Sequence, residues 1–205
     1  MTTHNAMNAI VDNVLSNEEI AQVYEALKTP SGNNFVKVHC QYNTFIQLPQ
    51  NVVDKFVAAA RKASGNDNLV MTEYCHAKYN NRKSDDGRVD YRPSLFPHYD
   101  ETFKEPRFTF DYQLDANIKW PIIVEDRDLV LENNQAATFS GTHQIHWREA
   151  TKFEDEEYVE MIFCHLTDPN LPEKGPDLNK EMDKKASHYQ EIYYSNGGWS
   201  NGWDA

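Results

Sequence analysis

From Leu95 to Leu166 the chain is a succession of short β-rich segments interrupted every few residues by turn chemistry, with no helical-period pattern long enough to intervene. An antiparallel run of that length buries its apolar residues only by rolling into a barrel or a two-sheet jelly roll. Strands are expected over 95–100, 107–114, 121–125, 128–132, 135–139, 144–149 and 157–166. Their separators are Lys104-Glu-Pro106, Asp115-Ala-Asn117, Glu132-Asn-Asn134 and Ser140-Gly-Thr142. Two further β-rich pieces precede them, Phe35–His39 and Val70–Tyr79.

Two helices lead into this run. Ser16-Asn-Glu-Glu19 is a capping-box pattern, followed by Ile20, Val23, Tyr24 and Leu27 at helical spacing until Thr29-Pro30-Ser31-Gly32 stops it. The second begins near Pro49-Gln50, carries Val52, Val53, Phe56, Val57 and Ala60 on one face, and ends with late cations and Gly65. The chain of 205 residues is long enough for one well-cored domain and too short for two. The expected architecture is α+β and mainly β, a double-stranded β-helix (jelly-roll, cupin-like) core backed by two N-terminal helices. The helical support spans about 16–65, the β core about 69–166, and a polar C-terminal extension 167–205. Pro169, Pro172, Gly175 and Pro176 punctuate that extension, and its Gly- and Asn-rich end, with Trp199 and Trp203, is expected to lie on the surface without regular structure.

Charge narrows the partners. Lys plus Arg number 20 against 32 Asp plus Glu, a net charge of −12, the wrong sign for a nucleic-acid backbone or an anionic membrane. The cysteines Cys40, Cys75 and Cys164 are odd in number and form no CxxC pair, which fits a reducing compartment rather than a disulfide framework. The first residues lack the features of a signal peptide, and no apolar run approaches the roughly 20 residues of a bilayer span, so a cytoplasmic location is expected.

The chemistry-bearing motif is His98-Tyr99-Asp100, at the end of an expected strand. Strand side chains alternate, so the His98 imidazole and the Asp100 carboxylate point to one face and can grip one ion. A second imidazole from another strand completes a facial triad, which leaves three positions of an octahedral Fe(II) open for a chelating cosubstrate and dioxygen. His143, His146 and His165 are the candidates. His146 is favoured because it lies in an extended segment after the Ser140-Gly141 turn, and the stretch from Asp100 leaves room for the four strands a jelly roll needs between its second and seventh. His143 reads as a turn residue and His165 as part of a core-packing strand. Taken alone, an HxD is more often a hydrogen-bonded surface pair than a metal site; the all-β context decides otherwise.

These residues resemble the Fe(II)- and 2-oxoglutarate-dependent dioxygenases, in particular their prolyl-hydroxylase-like branch. The resemblance covers Val70 to Leu166 and rests on the tyrosine-bearing strand ending at Tyr79, on Pro97-His-Tyr-Asp100, on Arg107-Phe-Thr-Phe-Asp-Tyr112 and on Phe139-Ser-Gly-Thr-His-Gln-Ile-His146. It implies a hydroxylase acting on a C–H bond of an amino acid or peptidyl side chain, with release of succinate and CO2. Fe(II) is its implied cofactor, 2-oxoglutarate and O2 its cosubstrates, and His98, Asp100 and His146 its implied metal ligands. The family also places a basic side chain about ten residues after the distal histidine to bind the far carboxylate of 2-oxoglutarate. Here that region reads Glu154-Asp-Glu-Glu157, and the pattern departs. A buried dicarboxylate still demands a cation. Arg148 is the candidate, because two residues beyond His146 it shares the inward face; Lys119 and Arg107 are the fallbacks, and Tyr79 and Tyr112 are expected to add phenol hydrogen bonds. The competing readings are a non-catalytic jelly-roll binding module and a cupin-like metalloenzyme that does not use 2-oxoglutarate.

Overall fold

The computed structural model describes residues 8–36, 40–81, 92–100, 107–173 and 176–198. The turn at Lys104–Pro106, the last three residues of the Phe35–His39 piece, and the tail from Trp199 lie outside the described residues. The chain begins with a short strand β1 (Ala9–Val11) and a helix α1 (Asn17–Leu27). Ser16 caps this helix in a complete capping box, its side chain accepting from the Glu19 N–H while the Glu19 carboxylate accepts from the Ser16 N–H. The hairpin β2 (Gly32–Val36) and β3 (Gln41–Phe45) leads to α2 (Gln50–Ser64), which ends at Gly65 in the left-handed conformation with φ 63°.

The strands that follow are β4 (Val70–Asn80), β5 (Leu95–His98), β6 (Arg107–Ala116), β7 (Ile122–Val124), β8 (Arg127–Leu129), β9 (Gln135–Phe139), β10 (His146–Arg148) and β11 (Tyr158–Thr167). They form two antiparallel sheets, one of seven strands in the order β1-β9-β6-β11-β4-β3-β2 and one of four in the order β5-β10-β7-β8. Between β4 and β11 the chain passes back and forth between these sheets, so residues distant in sequence face one another across a shared interior.

Alternation along β6 and β11 divides the core in two. Phe110, Tyr112, Leu114, Ile162, Cys164 and Leu166 face the helices, packing on Val23, Val52, Phe56 and Ala60. The opposite face of the large sheet carries Ala77, Tyr79, Ala137, Phe139, Val159 and Met161, which meet Trp120, Ile122 and Val124 from the other side. The first cluster is a helix-backed wall; the second is the interior between the sheets.

The polar extension, to which the sequence reading assigns no element, contains a helix. Residues Pro176–Ser195 form a third helix, α3. Pro176 opens it, a position at which its missing N–H and fixed φ are harmless, and the Gly197 and Gly198 amides close it on the carbonyls of Tyr194 and Tyr193. Its apolar residues Leu178, Met182, Ala186, Tyr189 and Tyr193 recur at helical spacing and cover Phe96, Tyr99, Ile145 and Trp147 of the four-stranded sheet. Among the described residues no helix is long and apolar enough to cross a membrane.

Candidate metal centre

His98 ends β5 and His146 opens β10, and the two are paired directly across these antiparallel strands, with ring centroids 4.2 Å apart. Asp100 follows two residues after His98 and is fixed from both ends: its N–H donates to the Gly141 carbonyl at 2.9 Å, and its Oδ2 accepts from Thr109 Oγ1 at 3.2 Å. One ligand atom from each of His98, Asp100 and His146 lies within 4.8 Å of the others. His146 Nε2 stands 3.9 Å from Asp100 Oδ1.

The hydrogen bonds of the imidazoles set their chemistry. His98 Nδ1 is 2.7 Å from the Phe96 carbonyl and His146 Nδ1 is 3.1 Å from the Gln144 carbonyl. A carbonyl only accepts, so in each ring Nδ1 carries the proton and Nε2 presents its lone pair to the shared point. Burial pushes His146 down to about 3, with His98 acting in the same direction, so its ring is neutral at physiological pH as a metal ligand must be. For Asp100, burial alone raises the pKa, but His146, His165 and His98 and the Thr109 hydrogen bond outweigh it and hold the carboxyl below its ordinary value. Two neutral imidazoles and one carboxylate suit a divalent transition metal such as Fe(II).

Gly141 makes the arrangement possible. A Cβ at this position meets Asp100 Oδ2 at 1.9 Å and Thr109 Oγ1 at 2.3 Å, so the carboxylate occupies space that any larger residue takes away.

Arg148 is 1% exposed and projects into the interior between the sheets. Its Nη1 donates to the Trp120 carbonyl, its Nη2 lies 3.7 Å from Met161 Sδ, and its guanidinium stacks 4.8 Å over the Trp120 ring. Nε is buried and has no hydrogen-bond partner among the described residues. Burial lowers the Arg148 pKa, while Tyr79 and Asp111 act in the opposite sense. Tyr79 lies beside it, edge-on to Trp120 at 4.9 Å, with its hydroxyl donating to Gln41 Oε1 at 2.8 Å.

Tyr112 is not brought to this interior. It sits on the helix-facing side of β6, 5.1 Å from the Phe56 ring, and its hydroxyl donates to Asn134 Oδ1 at 3.1 Å. Alternation gives the reason: with Phe110, Tyr112 and Leu114 turned to the helices, it is Thr109, Asp111 and Gln113 that face the other sheet. The two fallback cations are engaged elsewhere. Lys119 is an exposed ion pair with Glu132 at 2.5 Å, and Arg107 donates to Glu73 Oε1 at 2.8 Å.

Two residues that the sequence reading weighed without giving them a place at the site stand beside the cluster. His165, expected only to pack a core, is in register with Thr109 and brings its Nε2 to 4.0 Å from Asp100 Oδ2, while its Nδ1 is 2.8 Å from Glu73. Asp111 is 4% exposed, and burial lifts its carboxyl to about 7 against the opposing pull of Arg148. The strand alternation contained both signals, but not which face was inward. His143 lies in the turn as expected, its Nδ1 2.9 Å from Thr142 Oγ1.

No protein-family model matches the sequence, and no curated protein matches it. Solved structures do. A 2OG-Fe(II) oxygenase family oxidoreductase from Burkholderia pseudomallei superposes with a TM-score of 0.58 at 9% identity, covering 82% of this chain and 89% of that one. The non-heme alpha ketoglutarate dependent epimerase SnoN from nogalamycin biosynthesis gives 0.60 at 12% identity, over 80% of this chain and 79% of its own. A Pseudomonas putida prolyl-4-hydroxylase gives 0.52 at 11% identity, over 80% and 94%. The chain therefore has the fold of the 2OG-Fe(II) oxygenases, with a histidine–aspartate–histidine cluster facing the space between its two sheets.

Proposed function

We propose that this protein is an Fe(II)- and 2-oxoglutarate-dependent dioxygenase that hydroxylates a C–H bond of an amino acid or peptidyl side chain. The observation that carries the reading is the cluster of His98, Asp100 and His146, whose two Nδ1 atoms are committed to backbone carbonyls and whose remaining donor atoms converge. The passage of β4 to β11 between two sheets supports reading the core as a double-stranded β-helix, with β5 and β10 as its second and seventh strands.

When bound, Fe(II) with 2-oxoglutarate and O2 supplies the oxidising power, releasing succinate and CO2. The chain's own residues do the rest. His98, Asp100 and His146 would hold the metal through two imidazole nitrogens and a carboxylate oxygen. Arg148, a buried cation with an unpaired Nε, is suited to pair with the far carboxylate of the cosubstrate, and Tyr79 borders the same space. Trp120, Phe139 and Val124 keep the interior dry, which strengthens that pairing.

Likeness to an epimerase as well as to a prolyl-4-hydroxylase supports a second outcome for the same machinery, stereochemical inversion without oxygen insertion, in which the second oxygen atom leaves as water and an added reductant of the ascorbate class supplies the two electrons. Anaerobic addition of Fe(II) and 2-oxoglutarate is expected to produce a weak visible charge-transfer band, and aerobic turnover to release succinate with a substrate drawn from free amino acids and short peptides. A product heavier by one oxygen identifies the hydroxylase, and an unchanged mass identifies the epimerase. Absence of both the band and succinate sinks the cosubstrate reading in favour of a binding module or a metalloenzyme of another kind.

A further inference from the structure

The inward face of β6 is a ladder from the metal cluster to Arg148. Thr109 hydrogen-bonds Asp100 at one end, and Gln113 at the other is paired with Met161, whose sulfur touches the Arg148 guanidinium. Asp111 is the residue between, paired with Phe163 across the sheet and one inward-facing step, about 7 Å, from each neighbour. Any elongated anion that chelates the metal and ends on Arg148 must pass beside it. Asp111 and Arg148 influence one another electrostatically without forming an ion pair, and the Asp111 carboxylate receives no hydrogen bond among the described residues.

Charge makes this arrangement consequential. One aspartate ligand leaves an iron centre with a single positive charge, and a dianionic cosubstrate with the Arg148 cation brings the interior to neutrality. An ionised Asp111 adds a surplus buried negative charge next to the incoming carboxylate, which costs several kcal/mol. A protonated Asp111 removes that charge and supplies an O–H donor to the same carboxylate.

We propose that Asp111 takes up one proton from solvent as the distal carboxylate of the cosubstrate docks on Arg148, so that the dicarboxylate is held by a cation and a neutral carboxyl together. This rests on the cosubstrate reading given above. The groups facing Asp111 are consistent with it. From β4 come Cys75, whose thiol is raised to about 11 by burial first and Asp111 next, and Tyr79, raised mainly by burial; both stay neutral. From β11 comes His165, from the segment after β5 comes Asp100, and β10 supplies Arg148. The β9 partner, Ala137, brings no charge.

The test is calorimetric titration of 2-oxoglutarate into oxygen-free, Mn(II)-loaded protein in buffers of different ionisation enthalpy, at about pH 6 and about pH 8, either side of the Asp111 value near 7. Wild type is expected to take up little proton at the lower pH and to approach one at the higher. Its affinity is expected to fall up to about tenfold per pH unit above 7, because proton uptake then opposes binding. Asp111→Asn is expected to lose the pH-dependent uptake and to bind with a flat profile. Equal uptake by wild type and the variant, or none by wild type at either pH, overturns the proposal while leaving cosubstrate binding intact. No 2-oxoglutarate binding by the metal-loaded wild type overturns the cosubstrate reading and the proposal with it. The wild-type profile decides the matter even if the variant fails to fold.

Discussion

The Tyr99 hydroxyl donates to Asp183 Oδ1 at 2.7 Å, joining the residue between His98 and Asp100 to the middle of α3. Alternation turns Tyr99 away from the face on which His98 and Asp100 meet His146, so the helix grips the strand from behind. Gln190 Nε2 adds a hydrogen bond to the Pro97 carbonyl at 3.1 Å. The C-terminal helix is thus a brace for the motif. Asp183→Ala is expected to cost about 1 kcal/mol of stability, and to weaken Mn(II) binding by up to about tenfold, as loss of an outer support does. Metal titration followed by paramagnetic resonance reads the second effect, and an unchanged affinity means α3 covers the sheet without positioning the ligands.

Gly141→Ala places a methyl group where Asp100 Oδ2 and Thr109 Oγ1 now lie. The carboxylate has to move. Overpacking is expected to cost about 1–3 kcal/mol, and metal affinity to fall by at least about tenfold, with the fold retained by circular dichroism. Wild-type metal affinity in this variant would mean that Asp100 is not a ligand.

Arg148→Met separates stability from binding. Removing a buried cation that has no carboxylate partner within ion-pair distance is expected to leave the cosubstrate-free protein as stable as before or stabler by about 1–4 kcal/mol. The same change deletes a charge-assisted contact worth about 1.5–3 kcal/mol, so the apparent Kd for 2-oxoglutarate is expected to rise about 10–150-fold. Thermal melts and cosubstrate titration measure the two effects, and an unaltered Kd sends the anchor elsewhere.

Tyr79 and Tyr112 are expected to part company. Asn134 uses its amide to bond both the N–H and the carbonyl of Leu15 while its Oδ1 also accepts from Tyr112, so Tyr112→Phe loosens a clamp between α1 and the sheet. It is expected to lower stability by about 1 kcal/mol and leave the 2-oxoglutarate Kd alone, whereas Tyr79→Phe is expected to raise that Kd about 3–10-fold. A Kd change in the Tyr112 variant contradicts its placement on the helix side.

The Asp111 contribution to stability without cosubstrate should fall as pH rises from about 4 to about 7, opposed up to about 6.5 by His146, whose lowered value makes the unfolded chain the one that binds more protons. Asp111 has a folded-state value of about 7, above its ordinary one, because of burial; over that window the folded chain binds more protons than the unfolded chain, and each pH unit disfavours folding by up to about 1.4 kcal/mol. Above 7 its contribution levels off. Asp111→Asn is expected to remove this contribution, so that stability rises more steeply with pH than in wild type in denaturant titrations across the window, and an identical slope in the variant contradicts the burial of an ionisable carboxyl there.

Much of the molecule was legible locally. Both N-terminal helices announce their ends through Ser16, Glu19 and Gly65, and the strands from Leu95 to Leu166 announce theirs through turn residues, because caps and turns are satisfied by neighbours in sequence. The helix α3 had an apolar stripe of its own, but prolines and glycines at its margin masked it, and its partners Tyr99 and Trp147 are far away in the chain.

Period-two alternation puts His98 and Asp100 on one face of their strand, and in the next strand sets Thr109, Asp111 and Gln113 opposite Tyr112. It did not fix which face looks inward. That choice belongs to packing: α2 covers one side of β6, and the four-stranded sheet covers the other, so Tyr112 became structural and Asp111 entered the interior. The pairing of His146 with His98 and the approach of His165 to Asp100 likewise depend on long-range strand register, which hydrogen bonds between distant segments establish and no local pattern encodes.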